Sequence, residues 1–168
     1  MEQEVLDQVA AGMDDFYQFI ASSIGYMKKP RDYGTGEKVN MVEVHTLLMI
    51  VDHPGICITE VSKMWGHTIA AASRNADRLC KKGYIQKGKL PGNDKNVHLF
   101  ATEKGKAFAE LHKQYDKKEV RADAEHVLRT HTPEEFAAFL SVLGTVREII
   151  EQKNAREHIY DGSQYPEH

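Results

Sequence analysis

Arg74, Arg78 and Lys81 stand four and three residues apart in a stretch that Thr68 opens and Gly83 closes. On a helix this spacing gathers them on one side, with small Ala70 ahead of them on the same face. Cations so arranged suit charge-assisted hydrogen bonding to phosphate oxygens, and an arginine can also fork onto a base edge. Ala72, Ala76 and Leu79 fall on the opposite face and set the buried direction. Arg74 is then placed to reach a base edge or a phosphate, Arg78 and Lys81 to clamp phosphates, and Ala70 to let the helix approach closely. A solvated helix face would carry the same charges, so the reading needs support from the rest of the chain.

Charge distribution supplies it. The chain has 168 residues and a formal net charge of −3. Between Glu60 and Lys95 there are eight basic and three acidic residues, a balance of +5, against −8 for the remainder. One basic segment in an acidic chain is the footprint of a face that meets phosphates. Lys87, Lys89 and Lys95 belong to it, in a turn-rich stretch past Gly83.

Other chemistries find less footing. No nucleophile elbow or Walker loop is present, and Gly34-Thr35-Gly36 lacks the strand and spacing of a dinucleotide loop, so catalysis is not expected. Cys57 and Cys80 form no CxxC pair; Cys57, between two isoleucines, suits packing, while the basic neighbours of Cys80 would lower a thiol pKa and leave a redox switch as its minority role. Glu119, Asp123 and His126 share a helix side but lack HExxH or a second histidine partner, which makes them a charged surface stripe; neither metal nor cofactor is expected. No apolar run reaches the roughly 18 residues of a membrane span and Glu2 and Glu4 oppose a secretory leader, so the expected location is cytoplasmic.

These residues need elements to hold them. Val5, Val9, Met13, Phe16, Tyr17, Ile20 and Ile24 stripe a long first helix from near Glu2 to Tyr26. The Lys28–Gly36 stretch, with its proline and glycines, is expected to be a loop. Asn40 and Glu43 form a capping-box variant for a helix with Val44, Leu47, Leu48 and Val51 on its apolar face, ending near His53-Pro54-Gly55. A short helix from Thr59 to Gly66 and the Thr68–Lys82 helix follow, then a β-hairpin through Tyr84–Lys87 and Val97–Ala101. Thr102 opens a further helix, and Thr132-Pro133-Glu134-Glu135 starts the last, striped by Phe136, Phe139, Leu140, Leu143, Val146 and Ile150. The fold class is therefore mainly α with a small β-hairpin.

Helix, short helix, capped helix and hairpin in that order make a winged helix-turn-helix. From Val39 to Gly105 the chain resembles the MarR family of bacterial transcriptional regulators. The resemblance rests on His53-Pro54-Gly55-Ile56, Thr59-Glu60-Val61, Gly66-His67-Thr68, the run Arg78-Leu79-Cys80-Lys81-Lys82-Gly83-Tyr84-Ile85, and Ala101-Thr102-Glu103-Lys104-Gly105. One departure stands out. The family's wing usually carries Asp-x-Arg, and this chain has Asn93-Asp94-Lys95 in gapless register, or Asp94-Lys95-Asn96 one residue on, without the arginine fork that fills a minor groove.

The resemblance implies a homodimer on double-stranded DNA, repressing from a pseudo-palindromic site and released by a small molecule. The corresponding organisation is a dimerisation helix at 1–27, a DNA-binding lobe at 39–102, further dimerisation helices at 103–155 and a tail at 156–168. Family effectors bind between lobe and dimer helices, where Met13, Tyr17, His45, Met49 and His112, with Phe16 and Tyr115, mix apolar bulk with polar tips. Some members sense zinc, but no ligand set here matches one. A rival of another class is a winged-helix module that docks a protein rather than DNA.

Overall fold

The computed structural model describes residues 3–66, 68–90 and 93–155, with the backbone alone at 93–95 and 154–155. His67, Pro91, Gly92 and the tail from 156 lie outside the described residues. The chain divides into two compact units, one through Lys117 and one from Lys118 onward.

The first unit runs α1 (Gln3–Lys28), β1 (Arg31–Asp32), β2 (Lys38–Val39), α2 (Met41–Asp52), β3 (Ile56–Cys57), α3 (Ile58–Trp65), α4 (Ile69–Lys81), β4 (Ile85–Leu90), β5 (Asn93–Ala101) and the first part of α5 (Glu103–Val127). The expected mainly helical winged fold is present. Its core is built from Val44, Leu47 and Ile50 of α2, Val61 of α3, Ala72, Ala76 and Leu79 of α4, Ile85 and Leu99 of the hairpin, and Phe108 of α5. The α2 face is turned slightly from expectation: Ile50 is fully buried, while Leu48 and Val51 pack partly exposed at the core's edge.

Two segments depart from the sequence reading. The Lys28–Gly36 stretch is not a plain loop, since Arg31 pairs with Val39 and Asp32 with Lys38 in a small antiparallel ladder. Asp32 Oδ1 closes its turn by accepting the backbone N–H groups of Gly34, Thr35 and Gly36 at 2.9–3.0 Å. The turn drives Tyr33 into the core, 5% exposed, with its ring edge-on to Phe108 at 5.9 Å. Proline and glycine mark chain reversal but not whether the reversed chain is buried, and one aromatic decides that here. The Ile56-Cys57 patch is likewise a strand: Ile56 pairs with Leu99 and Cys57 with His98, giving a three-stranded sheet of order β3-β5-β4.

In the second unit, the end of α5 leads to α6 (Pro133–Ala155). The expected capping box forms: Thr132 Oγ1 accepts the Glu135 N–H at 3.2 Å and Glu135 Oε2 accepts the Thr132 N–H at 2.8 Å. No helix among the described residues is long and apolar enough to cross a membrane.

Candidate nucleic-acid interface

The turn between α3 and α4 begins at Gly66, whose φ of +62° lies in the left-handed region that most residues avoid. Thr68 then caps α4, its Oγ1 accepting the Ala71 N–H at 3.2 Å. Ala72, Ala76 and Leu79 are buried to 2% or less and Asn75 joins them, while Ala70, Arg74 and Lys81 are exposed on the other side. The facing deduced from helical spacing is the one the structure has. Arg74 also borders a cleft of about 350 Å³ shared with Lys28, Asn40, Val42, Ala71, Asn75 and Arg78.

Arg78 does more than face outward. Its Nε donates to Glu43 Oε1 at 2.7 Å and its Nη2 bonds Asn75 Oδ1, while the side chain remains half exposed. Glu43 Oε2 accepts from Lys82 Nζ at 2.8 Å, and Lys82 Nζ also donates to the Lys38 carbonyl at 2.9 Å. The same Glu43 completes the capping box of α2, its Oε2 accepting the Asn40 N–H at 3.2 Å while Asn40 Oδ1 accepts the Glu43 N–H at 2.8 Å. One carboxylate, 2% exposed, thus caps α2 and grips the last turns of α4. Burial works to raise its pKa, but the hydrogen bonds from Lys82, the Asn40 amide and Arg78 outweigh it and hold the carboxyl below its ordinary 4.5. Sequence reading found Glu43 as a cap and Arg78 as a cation. Their union across 35 residues left no local signal.

In the wing, Lys87 Nζ sits 2.6 Å from Asp77 Oδ1 and so ties the base of β4 to α4. Lys89 is exposed on the same strand. Lys95 lies on β5, where only the backbone is described, and the side chains of the Asn93-Asp94-Lys95 wing signature fall outside the described residues.

Among the cysteines, Cys57 is only half buried and precedes α3, its backbone N–H donating to Glu60 Oε2 at 2.8 Å. Cys80 is half buried too. Burial pushes its thiol pKa up in spite of Lys87, which corrects the expected lowering and weakens the redox role.

The residues singled out for an effector divide. His45 and His112 come together, ring centroids 5.7 Å apart, with Trp65 5.6 Å from His45 and Tyr33 4.8 Å from His112. Tyr115 joins the group, 5.1 Å from Tyr33. Met49 packs half buried against the core and Met13 is half buried on α1. Tyr17 is 57% exposed, with Phe16 as ring neighbour. Asp116, not singled out by its sequence context, places Oδ2 3.3 Å from His112 Nδ1; the available signal was its spacing of four from His112. Desolvation holds the His112 pKa below 6.5 against the pull of Asp116, aided by His45.

These elements define a winged helix-turn-helix protein. Residues 39–97, about a third of the chain, match the model of the MarR family. A Bacillus subtilis (strain 168) relative, the uncharacterized HTH-type transcriptional regulator YhjH, is 30% identical over 87 residues, which is 52% of this chain and 50% of that protein. The chain thus matches about half the length of that relative. A MarR protein from Peptoclostridium difficile has a similar fold (TM-score 0.63, 20% identity, 91% of each chain). So does Streptococcus pneumoniae FabT in a structure with DNA (TM-score 0.57, 21% identity, 89% of this chain and 97% of that one).

Proposed function

We propose that the chain is a transcriptional regulator that binds double-stranded DNA as a homodimer, represses from a pseudo-palindromic site and lets go on binding an effector. The observation that carries the reading is the face of α4. Ala70, Arg74 and Lys81 point out while Ala72, Ala76 and Leu79 anchor the helix, so a capped N-terminus and a cationic stripe stand ready for a major groove. FabT, of the same fold, is seen with DNA, which supports the assignment. The match of residues 39–97 to the MarR family argues against an enzyme.

The division of labour follows: a lobe at 39–102 on DNA, and helices at 1–27 and 103–155 in dimerisation. Support comes from apolar side chains left in solvent, including Val5, Val9 and Ile24 on α1 and Phe136, Phe139 and Leu140 on α6, all at least 43% exposed. Exposed stripes of this length mark surfaces that a second chain covers. Such a regulator works in the cytoplasm, where the DNA is. The effector reading rests on Met13, Tyr17, His45, Met49 and His112, of which His45 and His112 share one aromatic cluster.

Fluorescence anisotropy with DNA from upstream of the chain's own gene tests the proposal. Affinity should fall steeply with salt, as counterion release requires, and exceed that for scrambled duplex. No affinity at low salt would favour instead a winged-helix module that docks a protein.

A further inference from the structure

Arg78 shares the cationic side of α4 with Arg74 and Lys81 but differs from both in being tethered. Its Nε donates to Glu43 Oε1 at 2.7 Å and its Nη2 to Asn75 Oδ1. Among the described residues neither Arg74 nor Lys81 has such an ion pair. Both tethers come from buried groups, Glu43 being 2% and Asn75 5% exposed. Glu43 is itself fixed, since its Oε2 accepts the Asn40 N–H at the start of α2 and Lys82 Nζ. A guanidinium is planar and rigid, so two nitrogens held in this way set the orientation of the whole group. Nη1 is left over. It has no hydrogen-bond partner among the described residues, and the side chain, 47% exposed, borders the cleft shared with Arg74 and Lys28. Two cations share the one carboxylate, so a positive charge remains for an outside anion. We propose, on the DNA-binding reading of α4, that Glu43 and Asn75 are positioning residues, which hold the Arg78 guanidinium in the orientation in which its free Nη1 edge meets a phosphate of the DNA backbone.

An untethered arginine gives up rotamer freedom when it binds a phosphate, whereas a tethered one has given it up on folding. For one long side chain that difference is worth roughly three- to tenfold in affinity. Long-range electrostatics point the other way, because an acid close to a polyanion weakens the attraction. The two effects of Glu43 on DNA therefore have opposite signs, and positioning is the larger. Phosphate contacts carry no base information, so the benefit falls on all duplexes alike, and base reading is left to Arg74.

Anisotropy titrations on duplex from upstream of the chain's own gene, and on its scrambled form, test the proposal with the full chain. The variants are Glu43→Gln, Asn75→Ala, Arg78→Ala and the two doubles that combine Arg78→Ala with each of the others. Glu43→Gln removes a negative charge beside the DNA face, so charge alone predicts tighter binding and lost positioning predicts weaker. The expected result is a loss of about three- to tenfold for Glu43→Gln and for Asn75→Ala on both duplexes, with no further loss from either once Arg78 is alanine. Circular dichroism and urea unfolding establish that the variants are folded under the titration conditions. Asn75→Ala, which leaves every charge in place, carries the test should Glu43→Gln not fold. Unchanged or tighter binding by both single variants overturns the proposal. An equal loss with and without Arg78 overturns it too, because Glu43 and Asn75 would then serve only the packing of α4. A parent without affinity for either duplex at low salt fails the DNA-binding reading and this proposal with it, whereas a parent that binds and is matched by its variants fails the positioning role alone.

Discussion

On the proposed DNA-binding reading, two residues of α4 with the same charge have different work, and substitution separates them. Arg74 is exposed beside a cleft and placed to read a base edge, so Arg74→Ala should weaken binding to the specific site by about 1–3 kcal/mol and relax preference at one position. Lys81→Ala should weaken binding to all sequences alike and lower the salt slope by about 1. Anisotropy titrations on specific and scrambled DNA distinguish the two patterns, and equal affinity for parent and variants would mean that α4 presents another face. Glu43 belongs to the same scale. Glu43→Gln removes the negative charge and replaces one of the two accepting oxygens with an NH2 facing a cation, one cation being half exposed and able to turn to water, so the variant should cost about 1–3 kcal/mol in urea unfolding. Because the folded carboxyl titrates below its ordinary 4.5, its stabilisation is fully present above that pH and is lost as pH falls through the folded value. The gap between parent and Glu43→Gln should therefore be constant from pH 7 to about 5 and shrink below it.

Between elements, α5 comes close to the α4–β4 turn at Gly105. A Cβ there would lie 2.0 Å from the Tyr84 carbonyl oxygen and 3.3 Å from Leu47 Cδ1, and the first of these is backbone that has nowhere to go. That carbonyl already accepts the Thr102 N–H at 3.0 Å and its hydroxyl at 3.1 Å, so the helix start is bolted to the end of the α4–β4 turn. Gly105→Ala, harmless by helix propensity, should thus destabilise the chain by about 3 kcal/mol or more, measurable as a lower urea midpoint. A loss under about 0.5 kcal/mol would mean that α5 can slide along the sheet. Gly105 was legible in the sequence as part of the Ala101–Gly105 motif, but only the packing gives the reason for a glycine.

At the scale of the whole molecule, α1 and α6 have no fully buried residue among those described, even though both carry continuous apolar stripes. Leaving such stripes in water forfeits roughly 25 cal/mol for each Å² of apolar surface, and the proposed two-fold partner would recover it while setting two recognition helices about 34 Å apart. Sedimentation at micromolar concentration should show a dimer, and truncation of α6 should give a weaker or monomeric species; a stable folded monomer of the full chain would contradict the assembly.

Much of this chain could be read from neighbours in sequence. Caps at Asn40, Thr68 and Thr132, the turn at Gly66, and the outward face of Arg74 and Lys81 follow from local hydrogen bonding and helical period, which act over a few residues. The sequence also carried the order of elements that defines a winged helix. Tertiary structure alone decided the rest: the pairing of β3 with β5, the burial of Tyr33 from within a turn, the capture of Arg78 and Lys82 by Glu43, and the meeting of His45 with His112 and Asp116. Each joins residues many positions apart whose own surroundings in the chain look ordinary. Which pairs meet is set by how helices and sheet pack around one core, and that is a property of the folded whole and of no local run of residues.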